Sequence, residues 1–355
     1  KKEKKNKNNT KKKTQSPPSP LMNPLLQDAR RRSAAPTTGE MVERIQQESE
    51  TSCIGQAVKD AKAFFADTNK GGGGGGGEEL DPFWDLMPSL LRAKFPNAAN
   101  SDMIRVAGFV RHALHPSLEP KVHTKDDPHA SYRPLQDIHA YMPGLSPTRP
   151  FHDPSLVELC AKLSENIDVI TKEYNSLLEH MKKTHTDRFQ SVTTMNYESG
   201  WKTLVLFYNG HRIPNFPYHV CPVTTSLLEE VPLAGRIAGF NRQQPQTGIP
   251  KHTDGNNMWL TCQMGVKVPE GEKAYIRVGP ETKHWKQGEC LLYDTTYEHE
   301  TMNEHPDQER VVLHVDFFNT ISMTPLEIDV MKYIYKLREE FMKAEGVRKV
   351  GAQIL

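Results

Sequence analysis

The 355-residue sequence contains no apolar run near the ~20 residues that a membrane-spanning helix needs. Cysteine is scarce: the five cysteines are odd in number and none form a C-x-x-C pair. A disulfide framework or a structural zinc site is therefore not expected. The net charge of +1 gives no reason to expect a nucleic-acid partner. We expect no membrane span in this sequence; a signal peptide or membrane anchor would have to precede residue 1, so the compartment stays open.

Apolar residues are also few, at 36% against the usual ~45–50%, and the deficit lies in the N-terminal third. Eight of the first thirteen residues are Lys, a Ser/Pro-rich stretch follows, and Gly71–Gly77 is an unbroken glycine run. We expect residues 1–79 to be a disordered basic and Pro-rich tail with a glycine linker. The apolar spacing over 40–69 permits one short helix. The tail is either a basic arm for an anionic partner or a solvated segment.

Residues 80–149 are rich in Pro and His and carry aromatic residues such as Trp84. We interpret them as an irregular extension with short helices that packs on the next domain. Residues 153–184 show apolar residues at helical spacing, with Asp153 as a cap, and predict one long helix or two. Residues 150–345 are the predicted catalytic domain.

After this helical region the pattern changes to short runs rich in β-branched and aromatic residues, which predict a barrel or sandwich. A closing helix is predicted over 324–343, so the expected fold class is mainly β with flanking helices. The predicted strands are Arg188–Tyr197, Trp201–Tyr208, Gly235–Asn241, Met258–Val268, Ala274–Val278, Glu289–Tyr293 and Arg310–Phe318.

Two imidazoles and one carboxylate stand where strands of the predicted barrel begin or end. His252 and Asp254 lie two residues apart on an extended segment and therefore share a face. His299 follows 47 residues later. Two histidines and a carboxylate form the facial triad of non-haem Fe(II) oxygenases. The alternative is that both histidines are ordinary loop residues.

Arg310 lies eleven residues after His299 and opens the last predicted strand. Its same-face neighbours are Val312 and His314, so its side chain is expected at a polar barrel mouth. There the guanidinium would hold the distal carboxylate of 2-oxoglutarate as a bidentate partner. The alternatives are that Arg310 pairs with surface acids, or that His314 or Arg277 binds the carboxylate instead.

The order of motifs over roughly 143–320 resembles the aspartyl/asparaginyl β-hydroxylase family. The motifs are Trp201 with Gly210-His211-Arg212, Cys221-Pro222, Pro245-Gln246-Thr247, His252-Thr253-Asp254-Gly255, Val268-Pro269, Glu281-Thr282-Lys283 with Trp285, Glu298-His299-Glu300, and Arg310 leading into Val315-Asp316. The resemblance implies a double-stranded β-helix (jelly-roll, cupin-like) barrel. It also implies Fe(II) as the cofactor, 2-oxoglutarate and O2 as co-substrates, and hydroxylation as the reaction.

The sequence departs from that family at four positions. Asp254 stands where the animal enzymes have Gly, so this chain keeps a full triad. Thr261 and Gln263 stand where the family places an Arg and a His, and Asn241 where it places a Ser that helps bind 2-oxoglutarate. The resemblance therefore implies a co-substrate site made by Arg310, Asn241, Thr261, Gln263 and His314.

The expected function is Fe(II)- and 2-oxoglutarate-dependent hydroxylation of an aspartyl or asparaginyl residue in a peptide or protein, or of a related amino acid. The alternatives are a hydroxylase of a free amino acid or another small molecule, another metal chemistry on a similar barrel, and a barrel that binds a partner without catalysis. Asp294 and Glu298 are candidates to orient the two ligand imidazoles; the alternative is that both are solvated loop acids.

Overall fold

The computed structural model describes residues 82–114, 127–134, 138–191 and 199–344. The predicted helix over 40–69 and the glycine run lie outside these residues. Within the described residues, no helix is both long and apolar enough to cross a bilayer.

The described residues form twelve strands, β1 to β12 in chain order, in two sheets. Their bounds are Phe151–His152, Phe189–Gln190, Trp201–Tyr208, His211–Arg212, Leu233–Gln243, Thr247–His252, Trp259–Lys267, Ala274–Val278, Glu281–His284, Cys290–Tyr293, His299–Asn303 and Arg310–Phe318. The large sheet has the order β1-β10-β7-β12-β5-β3-β2, with β4 paired to β3, and the small sheet has the order β6-β11-β8-β9.

The strand order defines a jelly roll. From β5 to β12 the chain places β5, β7, β10 and β12 side by side in the large sheet, and β6, β8, β9 and β11 in the small one. All of these pairings are antiparallel. Eight strands distributed in this way between two facing sheets form the double-stranded β-helix. The fold is therefore mainly β with flanking helices, as predicted.

In the described parts of the chain, six α-helices, α1 to α6 in chain order, flank the barrel. Their bounds are Pro82–Lys94, Ile104–Leu114, Glu158–Glu165, Ile167–Lys183, Pro222–Glu229 and Pro325–Ala344. The predicted helical region over 153–184 is thus a 3-10 turn, Pro154–Leu156, followed by α3 and α4. Asp153 caps the turn by accepting a hydrogen bond from the Ser155 amide.

The apolar core is divided between three places. The outer face of the large sheet packs against α3, α4 and α5, through residues such as Leu260, Leu313 and Tyr174. Helices α1, α2 and α6 form a second cluster at one end of the barrel. A small third cluster, including Trp285 and Val312, lies between the sheets. Because this inner space holds few apolar side chains, the rest of it is a polar cavity.

The structure corrects several strand predictions. β2 contains only Phe189–Gln190 of the predicted strand Arg188–Tyr197, and residues 192–198 lie outside the described part. β5 is longer than predicted at both ends. Strands β6, β9 and β11 were not predicted as strands, although two of them carry the proposed histidine ligands.

Candidate active site

The two histidines lie beside each other on adjacent strands of the small sheet. His252 is the last residue of β6 and His299 is the first residue of β11, and they are register partners. Partners across an antiparallel pair project to the same face with Cβ atoms ~4.5–5.5 Å apart. The imidazole ring centroids accordingly lie 4.2 Å apart. Both side chains line one cavity between the sheets.

Backbone carbonyls fix which nitrogen of each imidazole is free. Nδ1 of His252 lies 2.9 Å from the Pro250 carbonyl oxygen, and Nδ1 of His299 lies 2.9 Å from the Tyr297 carbonyl oxygen. A carbonyl can only accept, so Nδ1–H is the donor in both contacts. In the neutral form of each ring Nε2 is therefore the unprotonated nitrogen, which is the one that a metal ligand presents.

This arrangement corrects the expectation that acidic side chains orient the imidazoles. Asp294 accepts hydrogen bonds from the amide and hydroxyl of Thr296, and Glu298 pairs with Lys251 on the surface. Burial lowers the pKa of His299 to about 4, with a further contribution from His252. His299 is therefore neutral near pH 7 and has no proton to lose before it binds a metal.

Asp254 reaches the same cavity from the loop that follows β6. Its Oδ1 forms an ion pair with Arg236, and its amide donates to the Thr295 carbonyl at 2.8 Å. Burial alone would raise its pKa, but Arg236 and the two imidazoles hold the pKa of Asp254 at about 2. Asp254 is thus a buried carboxylate beside both histidines. In the structure it faces a guanidinium rather than the imidazole nitrogens.

Arg236 is a cavity residue that the sequence did not reveal. It lies on β5 and lines the cavity next to its chain neighbour Ile237. Adjacent residues normally point to opposite faces of a strand. Here the pairing of β5 with both β3 and β12 is interrupted by register shifts, near Val205 and near Val315. A bulge of this kind re-aims a side chain, and alternation in a single sequence does not predict it.

Within the part of the chain that the structure describes, Arg310 is a buried cation without an acidic partner. Its side chain is fully buried, at 0% exposure, rather than at the barrel mouth as predicted. Nη2 donates to Oε1 of Gln243 at 2.7 Å, and the guanidinium carbon lies 4.5 Å and 4.1 Å from the ring centroids of Trp201 and Trp285. Nε and Nη1 have no hydrogen-bond partner. Burial lowers the pKa of Arg310 to about 9, so the side chain remains cationic near pH 7.

The other predicted co-substrate residues lie around the cavity. Asn241, Gln263 and His314 line it, whereas Thr261 is not among the lining residues and donates to the lining residue Asp316 at 2.6 Å. Nε2 of Gln263 donates to Nδ1 of His314 at 3.0 Å, so the Nε2–H of His314 faces Asp316 at 3.0 Å. Two buried acceptors in the wall, Asn241 Oδ1 and Gln263 Oε1, have no partner.

A second group with metal-ligand chemistry lies outside the cavity. Among the described residues, the thiols of Cys160, Cys262 and Cys290 form a cluster in which all three sulfur atoms lie within 4.8 Å of one another. They are buried where α3 packs on the outer face of the large sheet. They pack with Leu163 and other apolar side chains, so we interpret them as part of the core.

The fold and the site together define the class of protein: a double-stranded β-helix barrel with two histidines and a carboxylate beside a polar cavity. Residues 164–320 match the family model described as aspartyl/asparaginyl beta-hydroxylase. Through these residues the chain is similar to the aspartyl/asparaginyl β-hydroxylase family.

Curated relatives match about half of the chain. Over 171 residues it is 31% identical to the ornithine lipid ester-linked acyl 2-hydroxylase of Rhizobium tropici, covering 47% of this chain and 60% of that protein. Over 173 residues it is 27% identical to human aspartyl/asparaginyl beta-hydroxylase, covering 47% of this chain and 22% of that protein. The chain thus spans under two thirds of the length of either relative.

Solved structures align more weakly. HygX from Streptomyces hygroscopicus, solved with nickel, 2-oxoglutarate and hygromycin B bound, is 9% identical with a TM-score of 0.28. The alignment covers 41% of this chain and 79% of that one. A 2OG-Fe(II) oxygenase family oxidoreductase from Burkholderia pseudomallei is 13% identical with a TM-score of 0.26, and that alignment covers 35% of this chain and 70% of that one.

Proposed function

We propose that the chain is an Fe(II)- and 2-oxoglutarate-dependent hydroxylase that acts on an aspartyl or asparaginyl residue or a related amino-acid substrate. The observation that carries the proposal is the buried guanidinium of Arg310, which has no acidic partner among the described residues. A buried cation that lacks a partner is costly, so a protein retains one where a ligand supplies the opposite charge. A dicarboxylate that also binds a metal satisfies that requirement.

The metal would be held by His252, Asp254 and His299. The donor set fits a ferrous ion, because both imidazoles present an unprotonated Nε2 and the carboxylate is ionised. The ion pair with Arg236 uses one oxygen of Asp254, which leaves the second oxygen as a ligand. Bound here with 2-oxoglutarate, iron would supply the activation of O2 and the transfer of one oxygen atom to a substrate carbon.

The residues of the chain would bind and orient the co-substrate. Among the described residues, Nε and Nη1 of Arg310 have no hydrogen-bond partner, so each keeps an N–H group from which a carboxylate oxygen can accept. Trp201 and Trp285 stack on the guanidinium, and Oε1 of Gln243 accepts a hydrogen bond from its Nη2. These contacts exclude water from the far end of the site, where a charge-assisted bond is stronger than at the surface.

The relatives are named for different substrates, a protein side chain in one and a lipid acyl group in the other. The test therefore uses three pools: peptides that contain Asp and Asn, free amino acids, and acyl lipids. The full chain is incubated with each pool, Fe(II), 2-oxoglutarate and air, and mass spectrometry detects products heavier by one oxygen atom. We expect such a product from the peptide or amino-acid pool.

A product from the lipid pool alone would contradict the proposed substrate but not the reaction. If the protein binds both Fe(II) and 2-oxoglutarate and yields no oxygenated product from any pool, the barrel binds without catalysis and the proposal is wrong.

A further inference from the structure

Two segments that precede the family-matched range contact the two loops that carry the proposed metal ligands. The segments are residues 127–134 and 138–142, which we call the upstream brace. The loops are residues 254–257, which begin with Asp254, and residues 294–298, which end directly before His299. Neither segment is part of the match over 164–320.

The first segment of the brace holds the loop before His299 through its side chains and backbone. Nε of Arg133 donates to Oγ1 of Thr296 at 2.7 Å, and its Nη2 lies 3.7 Å from the Asp294 carboxylate. The Tyr297 hydroxyl donates to the Asp127 carboxylate. In addition, the backbone amide of residue 298 donates to the carbonyl of residue 132 at 2.9 Å. Arg133 and Asp294 are only 4% and 3% exposed.

The second segment holds the loop after His252 through backbone geometry. The amides of His139 and Ala140 both donate to the Gly255 carbonyl, at 3.0 Å and 2.9 Å. The side-chain amide of Asn257 makes two bonds with the backbone of Met142: it accepts from the amide and donates to the carbonyl, both at 2.8 Å. These contacts fix the loop directly beyond Asp254.

The two loops are also joined to each other, since the Asp254 amide donates to the Thr295 carbonyl at 2.8 Å. Both imidazoles are oriented by carbonyls of their own loops, including that of Tyr297. A shift of residues 294–298 would therefore move the Asp254 backbone and rotate the His299 ring together.

We infer that the upstream brace is a positioning element of the metal site and that Arg133 is its central positioning residue. It holds the two loops in the register at which Asp254 and His299 approach one ion. Outer contacts of this kind commonly change metal affinity by ~10–100-fold when they are removed. The part of the inference that concerns metal rests on the proposed function.

A matched control exists in the same N-terminal extension. Arg105 on α2 forms an ion pair with Glu327 on α6 and donates to the carbonyls of Gly144 and Ser322. It makes the same kinds of contact as Arg133 but touches neither ligand loop. Arg105→Met therefore removes contacts within the N-terminal extension and its helix partner without touching either ligand loop. Arg133→Met removes a contact of the extension that also holds the loop before His299.

The experiment compares the full-length wild type, Arg133→Met, Arg133→Lys and Arg105→Met in anaerobic titrations with Fe(II), well below each melting temperature. We expect Arg133→Met to weaken Fe(II) binding by ~10–100-fold. Arg133→Lys should be intermediate, because it keeps the charge and loses the fork. Arg105→Met should lower the melting temperature and leave the Kd for Fe(II) within about twofold of the wild type. If Arg133→Met fails to fold, Tyr297→Phe removes one hydroxyl only and should weaken binding by about threefold or more.

Hydrogen exchange distinguishes a failure of the proposed function from a failure of the inference about the upstream brace. If the wild type binds no Fe(II), the proposed function is wrong, and exchange at residues 252–257 and 294–299 still tests the brace. Faster exchange there in Arg133→Met than in Arg105→Met supports the inference. Equal exchange in the two variants, or an unchanged Fe(II) affinity in both Arg133→Met and Tyr297→Phe, would overturn it.

Discussion

The assignment of Arg310 to the distal carboxylate of 2-oxoglutarate can be tested by removing the contact from each side. On the protein, Arg310→Met keeps an unbranched side chain and removes the charge and the donors. On the ligand, 2-oxopentanoate keeps the keto acid and carries a methyl group in place of the distal carboxylate. The four combinations form a double-mutant cycle, which isolates this one contact.

The structure sets the expected size of the effect. Arg310 is fully buried, has two unpaired donors and is stacked on two tryptophans, so a carboxylate that reaches it forms a dry, charge-assisted pair. Hydrogen bonds to charged groups contribute ~1.5–3 kcal/mol, which corresponds to about 10- to 150-fold in Kd. We expect the wild type to prefer 2-oxoglutarate over 2-oxopentanoate by such a factor and Arg310→Met to lose nearly all of the preference.

The assay is anaerobic calorimetry with Fe(II) present, followed by kinetics. The KM for 2-oxoglutarate should rise by about tenfold or more in Arg310→Lys, which keeps the charge but not the fork, and further in Arg310→Ala. Fe(II) affinity should change little. Undiminished discrimination in Arg310→Met would refute the reasoning. Arg236 would then be the cation to examine, because Arg277 is exposed and pairs with Glu300 at 2.5 Å.

Three further results follow from the site and its supports. Asp254→Gly removes the carboxylate ligand, so Fe(II) affinity should fall by about tenfold or more in an anaerobic titration; wild-type affinity at limiting iron would show that it is not a ligand. Gly248→Ala places a Cβ 2.4 Å from the Thr301 carbonyl oxygen on the neighbouring strand. The free energy of unfolding measured by calorimetry should therefore fall by ~1–3 kcal/mol. An unchanged melting temperature would contradict that close approach. From composition, removal of residues 1–79 should leave the melting temperature and Fe(II) affinity unchanged; an insoluble product would show that the domain needs them.

The sequence was most informative about the large sheet. Two of its strands, Trp201–Tyr208 and Arg310–Phe318, were predicted with the bounds that the structure shows, as was Ala274–Val278 of the small sheet. In the strand Arg310–Phe318, one set of alternate residues, such as Leu313, packs under the helices, and the other set, such as His314, faces the cavity. A sheet with one packed face and one polar face produces the alternation that sequence analysis detects.

The small sheet was less visible for a physical reason. Thr247–His252 contains Gly and Pro, and His299–Asn303 is polar at most positions. Neither strand packs a continuous apolar face, because one side borders the polar cavity and the other is partly exposed. Their order comes from pairing with each other within the small sheet, which is a contact between segments far apart in the sequence.

The site was predicted only as far as residue type and spacing carry information. The proximity of His252 to His299 followed from the resemblance and the barrel, whereas the pairing of Asp254 with Arg236 depends on a bulge. The support that Arg133 gives to the His299 loop was also invisible, since 163 residues separate Arg133 from Thr296. Single-sequence patterns encode local periodicity and do not encode such contacts.

The conversion of isotopically labelled 2-oxoglutarate to succinate tests the central claim most directly. The full chain is supplied with O2 and the peptide, amino-acid and lipid pools, with and without Fe(II), beside His252→Ala and His299→Ala as controls. The account predicts labelled succinate from the wild type only when Fe(II) is present, and none above background from either histidine variant. Succinate that forms without Fe(II), succinate from both variants at the wild-type rate, or none from a wild type that binds both Fe(II) and 2-oxoglutarate would contradict it.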